Sequence, residues 1–356
     1  MGSDLSIGVL YFGSSGAGVK FTELLRDELS KDSNNIVIMA RKKELLRGSD
    51  SGDLLVEIPK RRVLAALGLG RNKAKNQIIN KIKRDNISTI IIPMAHPWDL
   101  SFQEILQAEG VKIIRIIHDA KRHPGDIWPR TRDIERMCDA DFVVTLSQFV
   151  ASMLKVQKSK LLVSCHPELK YGNQITPSND RELASGYDLI IGRHKKYQNT
   201  RVVAKWWTSL PEQLKQGRKL VVAGRVGYTT KVSLFTQKNL IVQNQWLSDF
   251  EFGKLVAGAN RVICIYREAS QSGIVSAAQS SQTPVLVSNV GGLPEQIESF
   301  GGGLVTKLGS KGDWQIKYAE LNNLTNQSTV YETHTRRFMN DIETAIARVE
   351  KKKIGD

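Results

Sequence analysis

Four stretches of this 356-residue chain pair glycine with residues able to hold an anion or move a proton. The most telling begins Cys264-Ile265-Tyr266-Arg267-Glu268-Ala269-Ser270-Gln271-Ser272-Gly273 and continues through Thr283–Ser288 to Asn289-Val290-Gly291-Gly292-Leu293-Pro294-Glu295. It reads as strand, polar loop, helix, strand and Gly-Gly loop. Ser272 and Gly273 fall where the helix begins, and unpaired backbone N–H groups at that point can hold phosphate. Leu189-Ile190-Ile191-Gly192-Arg193-His194-Lys195-Lys196 is a strand ending in cations. Arginine offers a planar fork of donors suited to a diphosphate, although a solvated charge run would look the same.

Ile116-Ile117-His118-Asp119-Ala120 ends another strand, and Arg122-His123-Pro124-Gly125-Asp126 follows. Two histidines and two aspartates in a Gly/Pro loop favour a site over a lone structural histidine. No third ligand pattern supports a metal there. Gly13-Ser14-Ser15-Gly16-Ala17-Gly18 follows the first strand and opens a helix. This loop would let backbone approach an anion closely. Its spacing is not the dinucleotide-binding G-x-G-x-x-G, and a plain tight turn remains open. Trp246-Leu247-Ser248 precedes a further helix.

These segments need strands to carry them. Short apolar runs at Ile7–Phe12, Ile36–Ala40, Thr89–Pro93, Lys112–Ile117 and Phe142–Leu146 alternate with helical periodicity such as Val19–Leu29, Phe102–Glu109 and Ser147–Val156. That alternation predicts a doubly wound parallel sheet. Gly172–Gly186 is polar and turn-rich and reads as a linker. The pattern then restarts with strands at Leu189–Gly192, Lys219–Ala223, Leu240–Gln243, Arg261–Tyr266 and Pro284–Ser288. The expected organisation is a first domain over 1–171, a linker over 172–186 and a second domain over 187–330. A closing helix, Tyr331–Lys353, is expected to pack back on the first domain. Ligands of such sheets bind beyond the carboxyl ends of the strands, so two sheets facing each other would form a cleft.

Composition excludes several classes. Apolar residues make up 41% and charged residues 24%, which fits a globular protein rather than a disordered or collagenous one. No apolar run has the length of a membrane span, and Met1–Lys20 lacks a secretory layout, so a cytoplasmic protein is expected. Cys138, Cys165 and Cys264 are scattered and suggest small reduced core residues. Lys and Arg number 51 against 36 Asp and Glu, a net charge of +15. Residues 41–84 alone hold 13 basic and 4 acidic side chains. Within them, 60–75 mix cations with Leu and Val, which suits an anionic membrane surface or a solvated basic loop. Few aromatics interleave these cations, so nucleic acid is an unlikely partner.

Taken in order, the motifs resemble nucleotide-sugar glycosyltransferases of the GT-B fold, in the large retaining group (family 4 type) that includes bacterial mannosyl- and glucosyltransferases. The resemblance spans nearly the whole chain. Its most specific mark is the Ser272-Gly273 … Gly291-Gly292-Leu293-Pro294-Glu295 block; Asp141–Ser147 is a weaker one. It implies two Rossmann-like domains facing across a cleft, with the acceptor on the first and the nucleotide-sugar donor on the second, and no metal or other cofactor. By position, Arg193, aided by Lys195 or Lys196, would meet the donor diphosphate. Backbone around Leu247 and Ser248 would hold the base, and Ser272 and Gly273 the phosphates. Gly16 and Gly18 would lie near the diphosphate, and His118 (with Asp119) beside the transferred sugar. The family's paired glutamates fall on Ala269 and Ala277, so Glu268 stands in as a candidate; its second donor-site lysine falls on Gln198. Two readings therefore stay open. One is a transferase acting on a polysaccharide or lipid-linked glycan with retention of configuration, cytoplasmic and peripheral at the inner membrane face. The other is a non-catalytic GT-B partner of such an enzyme.

Overall fold

The computed structural model describes residues 6–351 apart from 14–15, 33–35, 48–51, 58–69, 124–128, 170, 172–185, 228–233, 235–238 and 325–330. The expected linker lies outside the described residues except for Gly186, and so does most of the basic 60–75 segment. The chain divides into two compact units. One comprises 1–122, 127–164 and 336–356, and the other 123–126 and 165–335.

The first unit holds a seven-stranded parallel sheet. Its strands are β1 (Ser6–Tyr11), β2 (Ile36–Ala40), β3 (Leu54–Leu55), β4 (Ile87–Ile92), β5 (Lys112–Ile117), β6 (Phe142–Thr145) and β7 (Leu161–Val163). Their spatial order is β3-β2-β1-β4-β5-β6-β7. Every neighbouring pair is parallel. Runs such as Ile36–Ala40 are buried along their whole length, as expected of strands covered by helices on both faces. The order reverses between β1 and β4, which is where open sheets of this kind take ligands.

Arg71–Arg84 forms a helix that the basic composition concealed. Ala74, Ile78 and Ile82 recur at four-residue spacing and pack inward. Lys81 lies along the same face, its ammonium paired with Asp85. The helix Tyr331–Lys351 also packs in this unit. Phe338 meets the Phe21 ring edge-on at 5.3 Å, and Ser164 Oγ donates to Asp341 Oδ2 at 2.7 Å.

The second unit holds a six-stranded parallel sheet, β10-β9-β8-β11-β12-β13. Its strands are β8 (Tyr187–Gly192), β9 (Lys219–Gly224), β10 (Leu240–Gln243), β11 (Arg261–Cys264), β12 (Val285–Ser288) and β13 (Gly303–Thr306). Its order reverses between β8 and β11. At the amino end of β8, the fully buried Asp188 anchors a charged network. Its carboxylate accepts from Trp207 Nε1 at 2.6 Å and from the Tyr318 hydroxyl. It pairs with Arg261 at 3.0 Å and Arg218 at 3.5 Å. Arg261 also stacks over the Tyr318 ring at 4.3 Å.

Candidate functional site

In the second unit, the loops leaving the adjacent strands β8 and β11 carry Arg193, Lys195, Lys196, Glu268, Ser272 and Gly273. Gly192 closes β8 at φ +133, and a Cβ there would meet Gln198 Nε2 at 2.8 Å. Gly224, closing β9, sits where a Cβ would come within 2.1 Å of the Gly192 carbonyl oxygen. Arg193 projects into solvent, whereas His194 is buried with φ +48. That left-handed backbone costs on the order of 1–3 kcal/mol for a non-glycine residue, and two hydrogen bonds offset it. Nε2–H donates to the Ala223 carbonyl at 2.7 Å, so Nδ1 is the acceptor for the Thr200 hydroxyl at 3.0 Å. Burial lowers the His194 pKa, against the opposing pull of the Ala223 carbonyl. The imidazole is thus a neutral peg that sets the chain on either side of it, and with it Arg193.

Gln198 stands where the resemblance places a lysine. Its Oε1 accepts from the Lys195 main-chain N–H at 3.0 Å, tightening the turn that carries Lys195 and Lys196. The β11 loop is tied to the same turn. The Arg267 N–H donates to the Tyr197 carbonyl at 2.7 Å, and Arg267 Nε donates to Asn199 Oδ1 at 3.0 Å. Glu268 follows directly and is half-buried. Ala269 and Ala277, where the resemblance expects glutamates, are buried, 7% and 2% exposed.

Ser272 caps the helix Gly273–Ser280, its hydroxyl accepting from the Val275 N–H. Gln296, on the helix Leu293–Phe300, grips the Ser272 backbone from both sides. Its Oε1 takes the Ser272 N–H at 3.1 Å, and its Nε2 donates to the Ser272 carbonyl at 3.0 Å. The Ser272 amide is thereby committed, and the outward donors of this turn are the first-turn amides of Gly273 and Ile274, which precede any intrahelical acceptor. An anion fits there electrostatically.

Leu247 and Ser248 lie two strands away from β8, beyond β10. Leu247 packs against the core. Ser248 N–H donates to Glu251 Oε2 at 2.7 Å, and Glu251 N–H donates to Ser248 Oγ at 3.2 Å. This capping box of the helix Asp249–Ala257 was readable as Ser-Asp-Phe-Glu. It occupies the Ser248 amide that the resemblance offers to a base.

In the first unit, the glycine loop and His118 share the carboxyl edge of the sheet. Gly16 has φ +80, and its carbonyl oxygen accepts from the Val19 N–H at 3.0 Å at the start of the helix Ala17–Asp32. Gly18 lacks room for any side chain: a Cβ would lie 2.1 Å from the Tyr11 hydroxyl and 2.7 Å from Met94 Sδ. Its small size therefore serves packing around Tyr11 as well as any ligand. His118 follows β5 and its Nε2–H donates to the Pro93 carbonyl at 2.8 Å. Phe21, from the helix of the glycine loop, meets its ring edge-on at 4.8 Å. Burial lowers the His118 pKa, while the Asp119 charge and the Pro93 carbonyl act in the opposite sense. The ring is a neutral imidazole of fixed tautomer at neutral pH, with Nδ1 as its lone-pair nitrogen. It suits hydrogen bonding to a hydroxyl better than electrostatic attraction. Among the described residues no group of three or more His, Cys, Asp or Glu is placed to hold a metal ion.

Sequence reasoning assigned no role to Gln296 or Arg267 and saw in Gln198 only a missing lysine, because their partners lie 3 to 70 positions away and carry no spacing rule. It also passed over Arg225, which is exposed just beyond β9.

A scan against protein-family models finds no match, and no curated protein matches by sequence. Solved structures do. A glycosyltransferase from Rickettsia africae superposes with a TM-score of 0.65 at 14% identity, covering 99% of this chain and 97% of that one. Anabaena HepE in complex with UDP-glucose gives 0.65 at 11%, with 99% and 100% covered. WaaG, a glycosyltransferase involved in lipopolysaccharide biosynthesis, gives 0.60 at 14%, with 95% and 98% covered. At these identities the likeness establishes the fold. The chain has the GT-B architecture, each half a Rossmann-like parallel sheet.

Proposed function

We propose that the protein is a glycosyltransferase that moves a sugar from a nucleotide-sugar donor to a polysaccharide or lipid-linked glycan. The observation carrying this reading is the gathering of Arg193, Lys195, Lys196 and the Gly273 and Ile274 amides on the loops of adjacent strands at the point where strand order reverses. Several of the structural neighbours are glycosyltransferases, and HepE is in complex with UDP-glucose. In the transfer, the bond between the anomeric carbon and the diphosphate oxygen breaks and an acceptor hydroxyl oxygen forms the new bond, losing its proton. Negative charge collects on the leaving diphosphate. Fixed donors aimed at it lower the barrier, and this second-unit cluster supplies cations and amides without needing a metal. His118 and Asp119 of the first unit are assigned to the sugar and acceptor side. Retention of configuration belongs to this proposal through the family resemblance, as does Glu268 in place of the missing glutamates.

A second reading, a GT-B partner without turnover, draws on the burial of Ala269 and Ala277. Incubating the protein with a panel of nucleotide sugars, with and without oligosaccharide and lipid-linked acceptors, decides between them. Release of nucleoside diphosphate that depends on acceptor is the expected result. Nucleotide binding without any release across the panel would establish the second reading.

The proposal extends to an anionic membrane surface as the place of work. No helix among the described residues is long and apolar enough to cross a membrane, so association would be through surface charge. The helix Arg71–Arg84 has no acidic residue and continues the basic 60–75 segment. Wild type is expected to sediment with vesicles containing phosphatidylserine, and less so as salt shortens the screening length below about 8–10 Å. Replacing Lys60, Arg61 and Arg62 together by Glu should release it. Equal sedimentation of the two proteins would mark the segment as a solvated loop.

A further inference from the structure

The first unit holds a buried ion pair that the proposed reaction does not use. Asp99 and Arg115 pair at 3.5 Å, their side chains 0% and 1% exposed. Asp99 opens the helix Asp99–Ala108 that follows β4, and Arg115 lies within β5. Arg115 Nε donates to Gln103 Oε1 at 2.8 Å. Arg115 Nη2 and Asp99 Oδ1 have no hydrogen-bond partner among the described residues. A buried pair with polar atoms left over adds little net stability compared with apolar side chains of the same volume. Stability alone therefore does not account for it.

Its placement supplies a second role. Residues 93–98 join β4 to the Asp99 helix, and β5 with the residue that follows it holds this loop at both ends. At the near end, the Pro93 carbonyl accepts from His118 Nε2–H. At the far end, Arg115 holds Asp99, and Asp99 grips the His96 main chain on both sides. Its Oδ2 accepts the His96 N–H, and its own N–H donates to the His96 carbonyl at 2.9 Å. The His96 side chain closes the turn, Nδ1 accepting from the Trp98 N–H at 3.2 Å. Met94 and Ala95 are all that separate Pro93 from His96. A shift of the His96 main chain therefore passes to the Pro93 carbonyl and to the imidazole that this carbonyl orients.

We infer that Asp99, held by Arg115, is a positioning residue for His118: it sets the 93–98 loop so that the Pro93 carbonyl keeps the ring in one orientation, with Nε2 protonated and Nδ1 left as the acceptor. The inference rests on the assignment of His118 to the sugar side of the proposed transfer and deepens it. Small displacements of a group that meets the substrate are expensive in rate, which gives a buried and poorly satisfied ion pair a use that stability does not.

Variants of the full chain that separate stability from function test it. Asp99→Leu combined with Arg115→Met removes both charges and keeps an apolar fill, so its melting temperature should match or exceed that of wild type. Its turnover, with the donor and acceptor found in the nucleotide-sugar panel, should fall by roughly ten- to a hundred-fold, with the Kd for the nucleoside diphosphate unchanged. Asp99→Asn keeps an oxygen for the His96 N–H but strands the Arg115 charge. It should melt below wild type and yet keep most of its turnover. Should the double variant not fold, Asp99→Ala takes its place, because it strands Arg115 as Asp99→Asn does and offers His96 no oxygen. Wild-type turnover in the variant without that oxygen, or turnover that follows melting temperature across the series, overturns the inference. The imidazole nitrogen signals of His118 in NMR spectra, assigned with His118→Gln, give a readout that needs no activity. Wild type should show the Nε2–H tautomer alone, and the variant without the oxygen a mixture of tautomers. Unchanged His118 signals in that variant overturn the inference whatever the protein catalyses. Changed signals in a protein whose wild type turns over no nucleotide sugar uphold the positioning by Asp99 and defeat the transferase reading.

Discussion

Asp188→Ala is expected to destabilise the second unit by about 3–5 kcal/mol, the loss seen when one partner of a buried ion pair is removed. The carboxylate is fully buried and is shared by Arg261, Arg218, Trp207 and Tyr318. Deleting it strands two guanidinium groups, 3% and 6% exposed, in surroundings with no other acid among the partners described for them. Arg261 keeps only the Tyr318 carbonyl and Asn322. Arg218 keeps Gln216, Leu214 and Asn322. Neutral acceptors reduce the penalty without cancelling the charge. Asp188→Asn retains an acceptor for Trp207 and Tyr318 and should recover part of the loss. Urea unfolding followed by fluorescence reports it, since Trp207 is the indole bonded to the carboxylate. A Trp207 transition at the wild-type midpoint in Asp188→Ala would mean that the network contributes nothing net.

Arg193→Ala should weaken nucleoside diphosphate binding by roughly 1.5–3 kcal/mol, the range for a charge-assisted hydrogen bond, or about ten- to a hundred-fold in Kd. The side chain is exposed and holds no ion pair or hydrogen bond among the described residues, so the melting temperature should be unchanged. That separates lost recognition from lost fold. His118→Ala is expected to behave oppositely, lowering turnover more than nucleotide affinity, because it belongs to the first unit and to the sugar side of the proposed reaction. Its removal also leaves the Pro93 carbonyl without the Nε2–H donor and opens a gap against Phe21. Substitution by Gln keeps a donor and most of the volume, and should retain stability while still losing turnover. Normal binding and turnover in both alanine variants would show that neither residue has the role assigned to it.

The strands that carry the site were legible because each is a continuous apolar run ending in a loop with charge or glycine. β2 and β5 match the expected bounds residue for residue. β3, β7 and β13 escaped notice for a physical reason: the first is two residues long, and the other two are edge strands, each half-buried at three positions. None buries enough apolar surface to leave a run. The Arg71–Arg84 helix was hidden by six cations, since its inward face is only Ala74, Ile78 and Ile82 with the stem of Lys81. At the site, sequence placed the candidate residues at strand ends but could not tell an available group from a committed one. Ser272 and Ser248 both look like free backbone donors in a motif. In the fold, Gln296 takes the first amide and Glu251 the second. Gly18 likewise looks like a residue kept small for a ligand, and the Tyr11 hydroxyl fills the space beside it. Such commitments are tertiary or depend on rotamers, and periodicity does not record them.

The packing of Phe338 on Phe21 and of Asp341 on Ser164 bears on how the chain comes to be folded at all. The second unit is the stretch 165–335 with one four-residue addition, 123–126, whereas the first is assembled from long segments on both sides of that stretch. During synthesis the second unit has all its strands available before the helix that covers Phe21 has left the ribosome. Until that helix arrives, Phe21 lacks the Phe338 ring that packs on it. Closing a loop that contains an already folded body costs less entropy than closing the same length of free chain, because loop-closure entropy grows with the number of flexible residues. Prior folding of the second unit would thus lower the entropy cost of completing the first. The half proposed to bind the acceptor is therefore the one whose last element, the helix packed on Phe21, is synthesised after the whole of the half proposed to bind the donor.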